Sequence, residues 1–252
     1  MVSHRPSVLS VGLLLALMGA ASALPRKPKA EDPAERYQTC LSLANLNPVK
    51  ALAEATQWGR NKGGAPAEHC AALALVQLKR YPEAASKLDA LGRAPDMGRL
   101  RSLIFDQAGN AWMLAGNAAR AVASFEAALA LSANDADLFA DLARAEAMRK
   151  AFGEAEADLN AALALAPRRA DLLVLRASAR DAQRKWKDAR VDADSALALT
   201  PSSPEALVER GEIERHAGDL VAARRDFGKV LTLTRTGESA EAAHEGLEDL
   251  GP

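Results

Sequence analysis

Apolar positions in this chain recur on two periods at once. The short period is helical: Phe105, Ala108, Gly109 and Trp112 form one stripe, Ala121, Phe125, Ala128 and Leu129 form another, and Gly116-Asn117 breaks the pattern between them. The long period is 34 residues. Ala121, Ala155, Ala189 and Ala223 keep that step, and Leu129, Leu163, Leu197 and Leu231 keep it eight residues later. Gly109, Ala143, Ala177 and Gly211 fall in the same register, where two helices of one unit must approach closely and a larger side chain would overpack by about 1 to 3 kcal/mol. Each unit is therefore predicted to be a pair of helices, starting at Ser102, Ala136, Ala170 and Pro204. Turns at Ser132 to Asp135, Pro167-Arg168-Arg169 and Pro201-Ser202-Ser203 close the units, with proline stopping the second helix. Stacked units build an extended surface and no closed pocket, so the period favours a binding protein over an enzyme.

The N-terminus follows a different pattern. His4 and Arg5 precede an almost wholly apolar run from Val8 to Gly19, and Ala21-Ser22-Ala23 has the small-x-small form that a signal peptidase accepts. Residues 1–23 read as a signal peptide cleaved after Ala23. The alternative is an uncleaved anchor, but the run is shorter than the ~20 residues that cross a bilayer as a helix. No cysteine follows the run, so a lipoprotein is not expected, and no later stretch could span a membrane. The mature chain is expected to be exported, to the periplasm if the source is a Gram-negative bacterium. Residues 24–31, with Pro25, Pro28 and three basic residues, read as a flexible leader. Helix begins at Asp32, which can cap, with Pro33 in the first turn and Glu35 three residues after the cap.

A 34-residue helix-turn-helix with small residues in both helices, a bulky residue after the turn and proline near the unit's end resembles the tetratricopeptide repeat family. Phe152, Trp186 and Leu220 occupy the bulky place, and Pro167 and Pro201 the proline's. The resemblance covers four regular repeats over residues 102–235. Two less regular ones lie over residues 32–101. One is visible in Ala72, Tyr81, Ala84, Leu88 and Leu91, with about three extra residues near Gly92 to Gly98; the other lies between Asp32 and Trp58 and departs from the pattern around Asn45 to Asn47. Residues 236–252 hold one more helix, Glu238 to Leu250, with Ala242, Ala243 and Leu247 inward, placed to cap the open end. The fold class expected is all-α, a right-handed superhelical solenoid.

The resemblance implies that first helices line a concave face. Candidate partner-binding residues there are Asp106, Asn110 and Met113, then Asp141 and Arg144, then Ser178 and Asp181, then Glu212 and Arg215; Leu114, Asp137, Met148, Val174, Glu209 and His216 share the face. Carboxylate–arginine pairing and adaptable methionine contacts suit a protein or peptide segment. Family members that grip a C-terminal carboxylate use lysine, arginine and asparagine on adjacent first helices. Here Asn110 stands alone and Asp106 sits where a lysine would be expected, so binding of chaperone tails is not supported. An alternative is a structural module that associates with itself and leaves the groove empty.

Charge and chemistry narrow the picture further. With 33 acidic against 32 basic residues there is no field of one sign, which argues against a nucleic-acid partner. Glu146, Arg180 and Glu214 recur at 34 with alternating sign, so they could pair between repeats, with Arg176 and Arg210 extending the network through an Arg210–Glu214 contact at helical spacing; the competing reading is an arginine stripe that binds ligand. Cys40 and Cys70 are the only cysteines, are not spaced as C-x-x-C, and in an oxidising compartment are expected to bond to each other, the alternative being two separate buried thiols. His69, His216 and His244 belong to no metal-ligand motif, and serine elbows and phosphate loops are missing, so neither a catalytic centre nor a metal or other cofactor is expected.

Overall fold

The computed structural model describes residues 32–251; the expected signal peptide, and the leader up to Glu31, lie outside the described residues. Among the described residues there are thirteen α-helices and no strand. They form six antiparallel pairs: α1 (Pro33–Leu46) with α2 (Pro48–Arg60), α3 (Gly64–Gln77) with α4 (Tyr81–Arg93), α5 (Arg101–Leu114) with α6 (Ala118–Leu129), α7 (Ala136–Met148) with α8 (Phe152–Leu165), α9 (Ala170–Ala182) with α10 (Trp186–Leu199), and α11 (Pro204–Ala217) with α12 (Leu220–Leu233). A last helix, α13 (Glu238–Asp249), packs on α11 and α12.

Helix starts follow from local chemistry. Asp32, Asn47, Asn117, Asp135, Ser203 and Asp219 each accept a backbone amide hydrogen in the first turn of the helix that follows. Asn47 is the whole link between α1 and α2, its own amide donating back to the Leu43 carbonyl. That single-residue turn is why the sequence around Asn45 to Asn47 departs from the pattern of the later units: α1 runs on to Leu46. The turns inside the later pairs need one left-handed residue, and it stands at Gly116, Lys150, Arg184 and Gly218, with φ of 72°, 62°, 60° and 89°. The extra residues after α4 form a short 3₁₀ segment, Pro95–Leu100, which bends at Gly98.

Packing is controlled by side-chain size at one level of the pairs. Ala121, Ala155, Ala189 and Ala223 are fully buried, as are Ala143 and Ala177. Where Gly109 and Gly211 replace those last two, a phenylalanine sixteen residues on fills the space: a Cβ on Gly109 would lie 2.6 Å from the Phe125 ring, and one on Gly211 2.7 Å from Phe227. Ala143 has Leu159 in the corresponding place, a larger first residue with a smaller second that keeps the summed volume, whereas Ala177 and Ala193 are small on both sides. Gly246 of α13 approaches the other side of the Phe227 ring, and Ala240 and Ala243 are buried with it, which closes the apolar end of the stack.

The core is correspondingly a series of overlapping clusters, one around Cys40, Trp58 and Cys70, one from Ala72 to Ala145, and one from Ala140 to Ala243. Cys40 of α1 and Cys70 of α3 form a disulfide, with their Cα atoms 6.0 Å apart. First helices of neighbouring pairs pack on one another, α5 on α7, α7 on α9 and α9 on α11, more closely than second helices do. The array therefore curves with first helices on its inner side.

Candidate functional site

The inner face divides into two polar groups with an apolar stretch between them. In the first, Asn110 Nδ2 donates to Asp106 Oδ1 at 3.1 Å, and Arg144 Nη1 donates to Asp141 Oδ1 at 2.5 Å. Burial, then the charges of Asp141, Asp135 and Asp137, push Asp106 up to about 6; burial also raises Asp141, against the pull of Arg144. Asp106 thus sits among three other aspartates, of which Asp141 is paired with Arg144. Nearby, Arg169 bridges Asp137 and Asp171 at 2.7 and 2.5 Å and ties the start of α7 to that of α9.

The second group lies on α9 and α11. His216 Nδ1 is 2.7 Å from Asp181 Oδ2, and Arg215 bonds Glu212 on its own helix. Asp181 Oδ1 is buried with no hydrogen bond, and Glu209, half-buried beside it, makes no hydrogen bond or ion pair to any described residue. Burial, with Asp181 and Glu212 adding like charge, pushes Glu209 up to about 8.

Between the two groups, Arg144, Met148, Phe152, Leu175 and Ser178 line an open cleft of about 320 Å³. Ser178 is exposed at its rim, whereas Met113 packs partly against the core, so the apolar surface offered on this side belongs to Leu114 and Met148, 57 % and 47 % exposed. The structure therefore brings Asp106, Asn110, Asp141 and Arg144 into one cluster and Asp181, Glu212 and Arg215 into another, with Ser178 between them. Glu209 has the most unusual surroundings of the face, and its signal is that it follows Asp141 at twice the 34-residue step.

The expected ion ladder takes another form. Glu146, Arg180 and Glu214 do not pair with one another, and Arg210 does not bind Glu214. Arg180 instead donates to Glu156 on α8 at 2.8 Å and to Asp192 on α10 at 2.7 Å. Burial would raise Glu156, but hydrogen bonds from Lys185, Arg180 and Gln183 outweigh it and hold the group down to about 2. Glu214 faces Arg190 at 3.7 Å, the residue one repeat after Glu156, so the two signs exchange between successive repeats. Arg176 binds both oxygens of Asp192, at 2.7 and 2.9 Å, and Asn160 Oδ1 at 2.7 Å. Arg210 does the same with Asp226, at 2.6 and 3.0 Å, and with Asp194 at 2.8 Å. The physical reason is reach: a first helix lies between its own second helix and the preceding one, so its long side chains meet residues on those two helices, 16 ahead and 16 behind for Arg176 and Arg210 and 12 ahead and 24 behind for Arg180, before they meet the next first helix. All three guanidinium groups are engaged within the array.

Residues 174–243 match the family model for the tetratricopeptide repeat. That segment carries tetratricopeptide repeats. Solved structures of such proteins have the same solenoid. A MamA RS-1 double mutant is 22% identical over 68% of this chain and 94% of its own, with a TM-score of 0.59. MamA from Desulfovibrio magneticus RS-1 is 20% identical over 81% of this chain and 97% of its own, at 0.56. YrrB, described as a TPR protein with an unusual peptide-binding site, is 16% identical over 77% and 96%, at 0.57. At these identities the likeness is one of fold. A comparison with curated proteins gives no match. In this tetratricopeptide repeat array the inner face is therefore read from its own residues.

Proposed function

We propose that this chain is a non-catalytic adaptor that binds a protein or peptide segment along its concave face, and that it works in the cell envelope after export. Glu209 carries the reading. A carboxylate half-buried on an inner helix, with no cation beside it and Asp181 and Glu212 adjacent, costs stability for no gain within the fold. A basic side chain from a bound segment would neutralise it. Asp106 and Asp141 offer a second acidic position, and the cleft of Met148, Phe152 and Leu175 offers an apolar one between. The segment that fits has basic residues flanking an apolar anchor. YrrB's described peptide site supports the use of such a fold for peptides. Export is supported by the apolar run from Val8 to Gly19, the Ala21-Ser22-Ala23 site and the Cys40–Cys70 bond.

A photoreactive residue at Asn110 or Ser178 in the native envelope tests this reading. Capture of a different protein through a basic segment supports it, and capture of neighbouring copies alone sinks it in favour of self-association. The latter reading has one observation of its own: Leu46 and Val49, at the tip of the first helix pair, are 84 % and 67 % exposed.

A further inference from the structure

Asp158, Asp192 and Asp226 occupy one place in three successive repeats, on α8, α10 and α12. In the last two the carboxylate receives two hydrogen bonds from an arginine sixteen residues earlier, and the third arm of that arginine reaches Asn160 or Asp194 on the preceding second helix. In the first of the three the arginine's place is held by Leu142, which reaches no further than Cδ. The other two positions remain polar. Asp158 stands for Asp192, and Glu126 stands for Asn160. The next turn of α7 adds Glu146 where the following repeat has Arg180. The Glu146 side chain is only 9 % exposed, and its Oε2 is buried without a hydrogen-bond partner.

The charges around this slot are unbalanced. Burial, then Glu146, Glu126 and Glu154, push Asp158 up to about 6. Burial raises Glu146 too, with Glu154 and Glu126 adding to it and Arg149 opposing. Arg149 Nη1 is 3.8 Å from Glu146 Oε1, beyond hydrogen-bond range, and its side chain is half exposed. No three acidic, histidine or cysteine groups among the described residues converge in a way that would hold a metal ion. Asp158 is half-buried while Glu126 and Glu154 are exposed, and all three stand on second helices, so these carboxylates are within reach of solvent.

We propose that the slot between α6, α7 and α8 takes an arginine side chain from a partner protein, its guanidinium held by Asp158, Glu126 and Glu146. The geometry of the neighbouring repeats selects that ligand chemistry. Asp192 and Asp226 each bind a planar fork through two oxygens, which an ammonium cannot reproduce. The site is separate from the concave face, so an adaptor could hold two segments at once, and its test is independent of groove substitutions.

The probes are N-acetyl-arginine methylamide and its lysine counterpart, titrated at constant ionic strength into the full mature chain while side-chain carboxyl carbon resonances of Asp158 and Glu146 are followed. The arginine probe is expected to shift both saturably, and to bind about tenfold more tightly than the lysine probe, the ratio of one 1.4 kcal/mol increment. Asp158→Asn removes the fork's acceptor and a repelling charge together, so the chain should remain folded and the response to arginine should be lost. Leu142→Arg supplies the guanidinium from within, as Arg176 does one repeat later; it should move the Asp158 resonance without ligand and abolish the titration. Equal responses to the two probes, or an arginine response unchanged by Asp158→Asn, would overturn the assignment. If Leu142→Arg does not fold, the Asp158→Asn and two-probe comparisons decide alone.

Discussion

Arg176 grips Asp192 through two parallel hydrogen bonds across one helix pair, and Arg180 adds a third at 2.7 Å to the same carboxylate. Asp192 is 2 % exposed, so its charge depends on the guanidiniums beside it. Arg176→Ala leaves one of them. We expect a loss of roughly 2 to 4 kcal/mol, near the lower end of what breaking a buried pair costs because Arg180 remains. In the Asp192→Asn background the same substitution should cost less than half as much. Urea unfolding of the four chains of that cycle measures the coupling, and simple additivity would show that the pair contributes nothing specific.

Gly109 and Phe125 make a steric pair of the same register. Gly109→Ala brings a methyl 2.6 Å from the ring, and the expected cost is about 1 to 3 kcal/mol, reduced by the better helix propensity of alanine. Adding Phe125→Leu recreates the Ala143–Leu159 combination found one repeat later and should recover most of the loss. Thermal melts of the single and double variants check this.

The difference between these two pairs explains what the sequence makes legible. Glycine, alanine and proline at fixed steps report backbone distance and chain reversal, which every repeat needs in the same place, so the period, the helix pairs and the closing helix are readable from residues such as Ala121, Gly109 and Pro201. Ion pairs are set by which long side chains meet across helices. Helical spacing makes Arg210 and Glu214 neighbours on one helix and so suggests their pairing, whereas Arg210 extends to Asp226 and Asp194 on two others. The aspartate series Asp158, Asp192 and Asp226 was the available signal for those partners. On the inner face, the surroundings of Glu209 depend on the relative placement of α9 and α11, which no single-helix pattern encodes.

The Cys40–Cys70 bond joins α1 to α3 across the first helix pair. Closing a loop of that length stabilises by roughly 3.5 to 4 kcal/mol in the chain-entropy model. Because each pair touches mainly its neighbours, Cys40→Ser with Cys70→Ser should loosen α1 and α2 and leave α7 to α13 unaffected. Hydrogen exchange resolved along the chain will show it; uniform loss of protection would mean that the array unfolds as one unit.

Glu209 makes stability depend on pH in a defined direction. Its carboxyl is raised to about 8 in the fold and titrates near 4.5 when unfolded, so between those values the native state holds a proton that the unfolded state has lost. Stability from this group is therefore full below pH 4.5 and falls as pH rises to about 8. Asp106, at about 6, contributes the same sign over a narrower window from about 3.8. Glu209→Gln should raise the melting temperature at pH 8 by a few degrees, roughly the effect of 1 kcal/mol in a chain of this size, with no gain at pH 4. A basic peptide seated in the groove should bind more tightly at pH 8 than at pH 6, and Glu209→Gln should remove that increase. Melting curves and calorimetric titrations at the two pH values test both statements.

Arg180 and Glu156 form a pair whose signs are exchanged one repeat later, where Glu214 faces Arg190. Arg180→Glu alone places a carboxylate beside Glu156 and Asp192, both largely buried, and takes away a guanidinium from each; a loss of roughly 3 to 5 kcal/mol is expected. Adding Glu156→Arg restores opposite charges at the outer position. Recovery should be partial, because Asp192 then retains Arg176 alone, much as Asp226 is held by Arg210 with only the exposed Arg225 to help. Stability of the single and double variants in urea is the measurement. If the exchanged pair were no more stable than Arg180→Glu alone, the sign alternation of Glu146, Arg180 and Glu214 would have no pairing logic between first and second helices.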